Sequence, residues 1–501
     1  MYDKNANKNM RPAPAEPAWD APPDSAALQA LFRRCADFQT RTLRVGAAER
    51  LTLFVCWIDG LISAQDAAES VLRPLTDPQR SPAAAQDAAQ LFSLLLDGGL
   101  SSPSVTERRE LGALCEDLTH GCLALVSDTL GRALSVDVRG QSPRAVGEPT
   151  LEKALKGSKD SFVESLRANT ALVRRHAPTP RLKLAECMLG RKSRTRVAVF
   201  YCEGVAAAET VRALAARLSA VDVDGVVSLG TLEELLVDKP RSPFPQLLHT
   251  ERPDRLAAWL LDGRVGLLVD GIPIALVLPV SFAEFMKVTG DRCMNRLVSA
   301  VLTALRCLAL LLGMYLPALY AAVASFHQEM IPTRLLLSII EAKKDVPFST
   351  SAELLGMLVA FALLQEAGLR LPNPVGDTVS IIGALIVGQA AVEARVVSPI
   401  AIIVVAVSGI ACYTMPSQDM GSAIRLCRAG LLLAAIGAGL YGVALCSCLL
   451  AAHLVSIDSF GVNYTAPLSD GALLRRLPRR LLPERRPRGS LSGASDRRRQ
   501  R

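Results

Sequence analysis

Near residue 297 the chain changes solvent: about 290 residues of mixed polarity give way to about 150 dominated by long apolar runs. Residues 297–323, 352–364, 396–412 and 429–454 carry few charges. Two of these runs reach the roughly 20 residues a helix needs to cross the hydrocarbon, and the other two need an apolar shoulder or neighbouring helices. Lipid offers the backbone no partners, so such segments fold as helices. The pattern predicts an α/β soluble head followed by an all-α polytopic membrane domain.

The formal charge of +8 is modest for 501 residues and is concentrated in an arginine-rich tail that includes Arg475, Arg476, Arg479, Arg480, Arg485, Arg486, Arg488, Arg497, Arg498, Arg499 and Arg501. Beside a membrane helix such a tail marks the cytoplasmic face and touches anionic lipid; no nucleic acid is expected. Residues 1–25 are rich in Pro, Ala and Asp without the apolar core of a signal peptide, so the head is not expected to be exported. The 12 cysteines are scattered singly, and Cys307, Cys412, Cys427, Cys446 and Cys448 fall in or beside apolar helices. Cys446 and Cys448 lack a second pair or nearby histidines, so neither a metal nor a cofactor is expected.

The head reads as an internal duplication. The run LTLFVCWI (51–58) ends in Asp59-Gly60 and is followed by an amphipathic helix over 61–72; RVAVFYC (196–202) ends in Glu203-Gly204 and is followed by a helix over 207–220. A hairpin follows in each half: 122–126 with 133–138 around Asp128 to Gly131, and 265–269 with 272–278 around Asp270-Gly271, an Asp-Gly turn signal. The two signals repeat at offsets of about 144 and about 142 residues. Residues 151–195 read as a solvated, basic helical linker carrying Arg174-Arg175, Arg191-Lys192 and Arg194.

The expected layout is a disordered tail over 1–25, a first α/β subdomain over 26–146, a helical linker and second subdomain over 147–280, a membrane domain over 281–467 and a disordered cytoplasmic tail over 468–501. No catalytic constellation is visible in the head. Asp59, Glu203 and Asp270 lie at turns, where acids bond their own backbone; phosphate loops, Gly-x-Ser-x-Gly and His-Glu-x-x-His are absent.

Positive charge at both ends of the membrane block calls for an even number of crossings. The expectation is four, with 378–392 as a short inner or re-entrant helix. Residues 281–294 read as an amphipathic helix at the interface, and 333–344 as a helix lying in it. Arg306 in the first span must snorkel, pair with an acid or face water.

Residues 365–395 carry the candidate functional groups. Glu366 and Arg370 stand one helical turn apart and can pair, and Pro372 and Pro374 break the helix. Gly383 and Gly388 allow close backbone approach, and Gln389, Glu393 and Arg395 close the segment. Two readings stand: a water-lined path or subunit interface, and an ion pair that only fixes topology.

The runs SPFPQLLHTERPDRLAAWLLDGRVGLLVDG (242–271), FHQEMIP (326–332), QEAGLRLPNPVGDTVSIIGALIVGQAAVEARVVSP (365–399) and SFGVNYTAP (459–467) resemble the A-subunit family of spore-germination nutrient receptors, as do SFVESLRANTALVRRH and GRKSRTRVAVFY. The likeness covers about residues 147–467, more loosely the first subdomain, and neither tail. It implies a protein of the inner membrane of a bacterial endospore with its head and tail on the core side. The partners it implies are a transporter-like B subunit that senses the nutrient and a C-subunit lipoprotein. It further implies self-association into a ring that gates release of monovalent cations. His327, Glu329, Pro332, Pro372 and Pro374 then become interface or hinge candidates.

Two departures stand out: Asn463-Tyr464 where the family often has Pro-Tyr, and Asp377 where it has Gln. A sporulation-stage paralogue shares the pattern, but FHQEMIP and SFGVNYTAP are closer to receptor A subunits. A non-conducting scaffold subunit is the alternative reading, and a membrane-anchored enzyme stands last.

Overall fold

In the computed structural model the described residues are 18–466, apart from 46–50, 78–84, 86, 141–146, 148, 150–151, 153–156, 289, 292–293 and 371–385. The chain forms two compact units. The first comprises residues 1–240 and 247–279, the second 241–246 and 280–501.

The first unit holds two five-stranded antiparallel sheets with one strand order. The first sheet comprises β1 (Phe38–Val45), β2 (Leu51–Ile58), β3 (Val105–Arg108), β4 (Cys122–Ser127) and β5 (Arg132–Asp137), ordered β1-β2-β4-β5-β3. The second comprises β6 (Leu182–Leu189), β7 (Thr195–Cys202), β8 (Leu248–Thr250), β9 (Val265–Val269) and β10 (Ala275–Leu278), ordered β6-β7-β9-β10-β8. Helices α1 (Ser25–Leu31), α2 (Leu111–Thr119), α3 (Leu166–His176), α4 (Ala208–Ala220) and α5 (Pro253–Leu261) accompany them.

The repeat extends to individual hydrogen bonds. After β2 and after β7 an acid-Gly turn bends the chain, with Gly60 at φ 87° and Gly204 at φ 81°, backbone that side chains with a Cβ avoid. Asp59 N donates to the carbonyl of Asp37, and Glu203 N to that of Arg181, both at 2.8 Å. The hairpin acids act alike too. Asp128 accepts from Ser25 N and Oγ at the start of α1, and Asp270 accepts from Leu166 N at the start of α3. These carboxylates satisfy free N–H groups at helix starts about 100 residues earlier in the chain. The expectation that turn acids bond their own backbone is thereby corrected: Asp59 pairs with Arg167, and Glu203 with Lys183 at 3.2 Å.

Two further expectations change. Residues 151–195 are not a solvated helical linker: among those described the helix is 166–176, 182–189 is strand β6, and Arg174 is fully buried. Arg174 Nε and Nη2 donate to Asp37 Oδ2 and Oδ1 at 2.7 and 2.8 Å, and Nη1 donates to Leu182 O at 2.9 Å. Beside this pair Ala36 N donates to Leu184 O and Leu184 N to Arg34 O, joining the lobes through the edge of β6. The second hairpin also has a longer turn than Asp-Gly alone. Pro273 has no N–H for a ladder, and pairing begins at Ala275 opposite Leu268.

The second unit is helical: α6 (Arg296–Phe326), α7 (Thr333–Lys343), α8 (Thr350–Arg370), α9 (Pro399–Tyr413) and α10 (Gln418–Val455). Among the described residues α6, the 350–367 part of α8 and α10 are long and apolar enough to cross a bilayer, and α9 is a shorter apolar helix. Among the described residues of 281–294 the helical geometry is 3-10, at Phe282–Met286 and at residues 290–291, in place of the expected amphipathic helix. No residue of α7 is buried, as befits a helix with Leu335, Leu337 and Ile340 exposed.

The run over 429–454, read as one span, is broken. Ala438 (φ −142°, ψ 16°) and Gly439 (φ 61°, ψ −141°) leave helical geometry. In a straight helix residues eight apart lie about 12 Å apart, yet a Cβ on Gly442 would overlap the carbonyl oxygen of Ala434. Cys427 and Cys446, which a straight helix would hold about 28 Å apart, lie within electrostatic reach of each other. Helix α10 is therefore a tight helical hairpin with its tip at Gly439.

Contacts fix the directions of the other helices. Glu353 near the start of α8 meets Ser398 at the start of α9, and Gln365 near the end of α8 meets Tyr413 at the end of α9. These neighbours run parallel, so the chain leaves α8 at one end of the pair and enters α9 at the other.

Candidate functional site

An ionised group inside an apolar bundle is costly and marks either a structural pair or a working site. Three such places occur in the second unit. At the start of α6, Arg306 donates to Asp291 Oδ2 and Oδ1 at 2.6 and 2.8 Å and to Met286 O at 3.1 Å. Asp291 is itself held by Val288 N. Of the possibilities open to Arg306, pairing is the one realised.

At the opposite end of the bundle Glu353 is buried. Its Oε2 accepts from Ser398 N at 2.9 Å, placing the carboxylate against the electropositive start of α9, and Lys343 Nζ lies 3.3 Å from Oε1. Ser398 Oγ in turn accepts from Ala401 N, so the start of α9 is capped twice.

The third place differs in kind. Arg428 on the first arm of α10 is only 3% exposed. Its Nη1 reaches Ser408 Oγ at 3.2 Å and Cys412 Sγ at 3.9 Å, and its Nε has no partner among the described residues. One turn away Arg425 donates to Gln365 Oε1 at 3.0 Å and to Ser422 Oγ at 2.7 Å, while Gln365 Nε2 donates to Tyr413 Oη at 3.0 Å. Two guanidinium groups thus sit side by side on neutral partners where α8, α9 and α10 meet, with no acid bonded to either among the described residues.

The tip of the α10 hairpin is a close backbone approach. A Cβ on Gly439 would lie 3.1 Å from Phe326 Cβ and from His327 Cε1, and His327 Nδ1 is buried without a partner among the described residues. Glycines that pack within the bundle are therefore Gly313 against Cys412, Gly409 against Phe361, Gly439 and Gly442.

Of the residues expected to form the site, Pro372, Pro374, Asp377 and Gly383 lie outside the described residues, as does the side chain of Arg370. Glu366 is exposed, next to Gln365 in the network above. Gly388 and Gln389 fall in a single wide turn, Ile386–Ala390. Gly388 makes no close approach: a Cβ there would meet no described atom within 4 Å. Glu393 is exposed, and Arg395, at φ 54°, pairs at 2.9 Å with Asp345 rather than within its own segment. Glu329 and Pro332 are exposed between α6 and α7. Sequence reasoning missed Arg425, Arg428 and Glu353. The signal was present: the last apolar run was begun at residue 429, one position after an Arg-x-x-Arg pair.

A sequence profile described as "Bacillus/Clostridium GerA spore germination protein" matches residues 26–486. The chain belongs to the GerA spore germination protein family. Among its GerA relatives, the "Uncharacterized membrane protein YfkQ" of Bacillus subtilis is 35% identical over 442 residues, covering 88% of this chain and 85% of that protein. "Spore germination protein B1" of the same organism is 35% identical over 414 residues, covering 82% and 84%. The crystal structure of the N-terminal domain of the A subunit of the Bacillus megaterium spore germinant receptor GerK3 aligns at 28% identity and a TM-score of 0.40, covering 51% of this chain and 93% of that one. The resemblance drawn from the motifs is thus a family membership, and for a GerA protein the polar residues of the bundle become the natural place to seek function.

Proposed function

We propose that this chain is the A subunit of a spore germinant receptor in the inner spore membrane, and that it is not an enzyme. In this reading it self-associates into a ring, works with a transporter-like B subunit that binds the nutrient and a C-subunit lipoprotein, and couples nutrient sensing to release of monovalent cations. Binding on a partner drives opening by its differential affinity for the two states of the ring. Head and arginine-rich tail lie on the spore-core side, where cationic segments meet anionic lipid.

The observation that carries the reading is the family match over residues 26–486 joined to a bundle in which the buried Arg428 bonds no acid among the described residues. The helix directions fit this reading: α8 and α9 run parallel, and α10 folds back on itself at Gly439. Gly388, with no described atom within 4 Å of a Cβ placed there, suits an interface with another subunit. The test is Gly388→Trp in spores: the protein stays in the membrane at normal level, while release of potassium on addition of nutrient broth slows or speeds several-fold. Unchanged release and germination would remove this residue from the gate, and wild-type spores that germinate without cation release through the receptor would favour a scaffold.

A further inference from the structure

The polar groups of the bundle divide into two classes. Arg306 and Glu353 each face an opposite charge, at 2.6 Å and 3.3 Å respectively. Arg428 and Arg425 bond no opposite charge among the described residues. Arg428 is buried to 3% exposure and, among the described residues, holds a serine hydroxyl and a cysteine sulfur and leaves Nε without a partner; Arg425, three residues earlier on the same arm, holds a glutamine and a serine. Residues three apart on a helix are neighbours, so the two charges also repel.

An arginine that served only to fix packing would be expected to carry an acid, because breaking a buried pair is far costlier than never having one. Neutral ligands leave the positive field in place, and in an apolar bundle it is weakly screened.

We propose that Arg428, reinforced by Arg425, sets the electrostatic barrier to cations in the resting bundle. It is a specificity-determining residue for the release step, and the inference rests on the cation-release reading above. A fixed positive charge disfavours any cation approaching it, the means by which arginines exclude cations from other pores. One unit charge about 10 Å from the path, at an effective dielectric of about 20, slows passage roughly ten-fold.

The neutral partners serve that end. Ser408 Oγ donates to Val405 O and so presents only a lone pair to the guanidinium, orienting it without cancelling its charge.

The experiment measures potassium efflux from dormant spores carrying the full chain with its companion subunits, before and after nutrient broth, with membrane level checked by immunoblot. Arg428→Gln should raise efflux before broth about ten-fold, and Arg428→Lys should leak several-fold less than Arg428→Gln. Since Arg428→Gln can fail to fold, a second pair leaves the arginine in place. Ser408→Asp sets a carboxylate against it and should leak, whereas Ser408→Asn, of the same size without charge, should leak several-fold less. Equal resting efflux from Ser408→Asp and Ser408→Asn, with both proteins in the membrane, overturns the proposal. Failure of the underlying reading looks different: wild-type spores would then show no broth-triggered efflux through this receptor at all.

Discussion

The pair that joins the two lobes of the head offers a quantitative test. Arg174 is fully buried and Asp37 is 1% exposed, and they share two hydrogen bonds of 2.7 and 2.8 Å. Burial alone would lower the pKa of Arg174, but the Asp37 carboxylate outweighs it and holds the guanidinium above its usual range, so pH does not neutralise the cation. Asp37→Ala leaves that charge buried with no carboxylate bonded to it, held by Leu182 O and beside the Cys35 thiol. Breaking such a pair costs about 3–5 kcal/mol, which for a unit of this size lowers Tm by roughly 10 °C. The assay is built into the sequence: the 3 tryptophans, Trp19, Trp57 and Trp259, all belong to the first unit, so fluorescence of the full chain in detergent follows its unfolding without a signal from the bundle. Replacing both partners, Asp37→Leu with Arg174→Met, should recover most of the loss, because apolar groups of similar volume need no counter-charge. A fall below about 3 °C for Asp37→Ala, or a double variant no better than the single one, would refute the account of this pair.

Three other outcomes are expected of this fold. Burial pushes the Cys115 thiol up to about 12 and Cys187 up to about 11, and raises Cys56 as well. An unfolded thiol ionises near pH 8.5, so above that pH the unfolded chain sheds protons the folded head retains, and stability falls as pH rises from about 9 to 12. Cys115→Ala should flatten that decline in the tryptophan signal; an unchanged slope would count against it. In the bundle, Ser417→Cys and Ser456→Cys should react with an impermeant thiol reagent from the same side of the membrane, since the α10 hairpin returns the chain to its starting end. A straight helix would put them on opposite sides. Gly439→Leu should disturb that hairpin by roughly 1–2 kcal/mol from the left-handed backbone alone, with the collision against Phe326 in addition.

The head was legible where local chemistry decides. Apolar runs ending in Asp59-Gly60 and Glu203-Gly204 announced two sheets of one plan, because both signals depend on residues adjacent in sequence. Strands β1 and β6 were not legible. FQTRTLRV alternates weakly and LKLAECML carries Lys and Glu, so tertiary pairing with β2 and β7 decides their state rather than pattern. Arg174 shows the same limit from the charge side: within Arg174-Arg175 nothing local distinguishes the buried residue from its neighbour, since Asp37 lies 137 positions away.

In the bundle, hydropathy reports solvent and not direction. A window over 429–454 averages across Gly437, Ala438 and Gly439, so it registers an apolar run whether the chain continues or reverses. Direction is carried instead by polar contacts. Ser242 Oγ and His453 Nε2 share a hydrogen bond of 2.8 Å, Tyr464 Oη donates to Pro245 O at 2.8 Å, and Phe282 N donates to Tyr464 O at 2.7 Å. The segment leaving α10 therefore lies at the end where α6 is entered, and an even number of passes between them is a geometric requirement, independent of the arginine tail from which parity was first argued. Since α8 and α9 are parallel, the chain must return from the end of α8 near Gln365 to the start of α9 at Ser398. The same parallel setting brings the ends of α8 and α9 together at Gln365 and Tyr413, where the arginine pair of α10 is held. Any movement that shifts the end of α8 pulls directly on Gln365, and through it on Arg425.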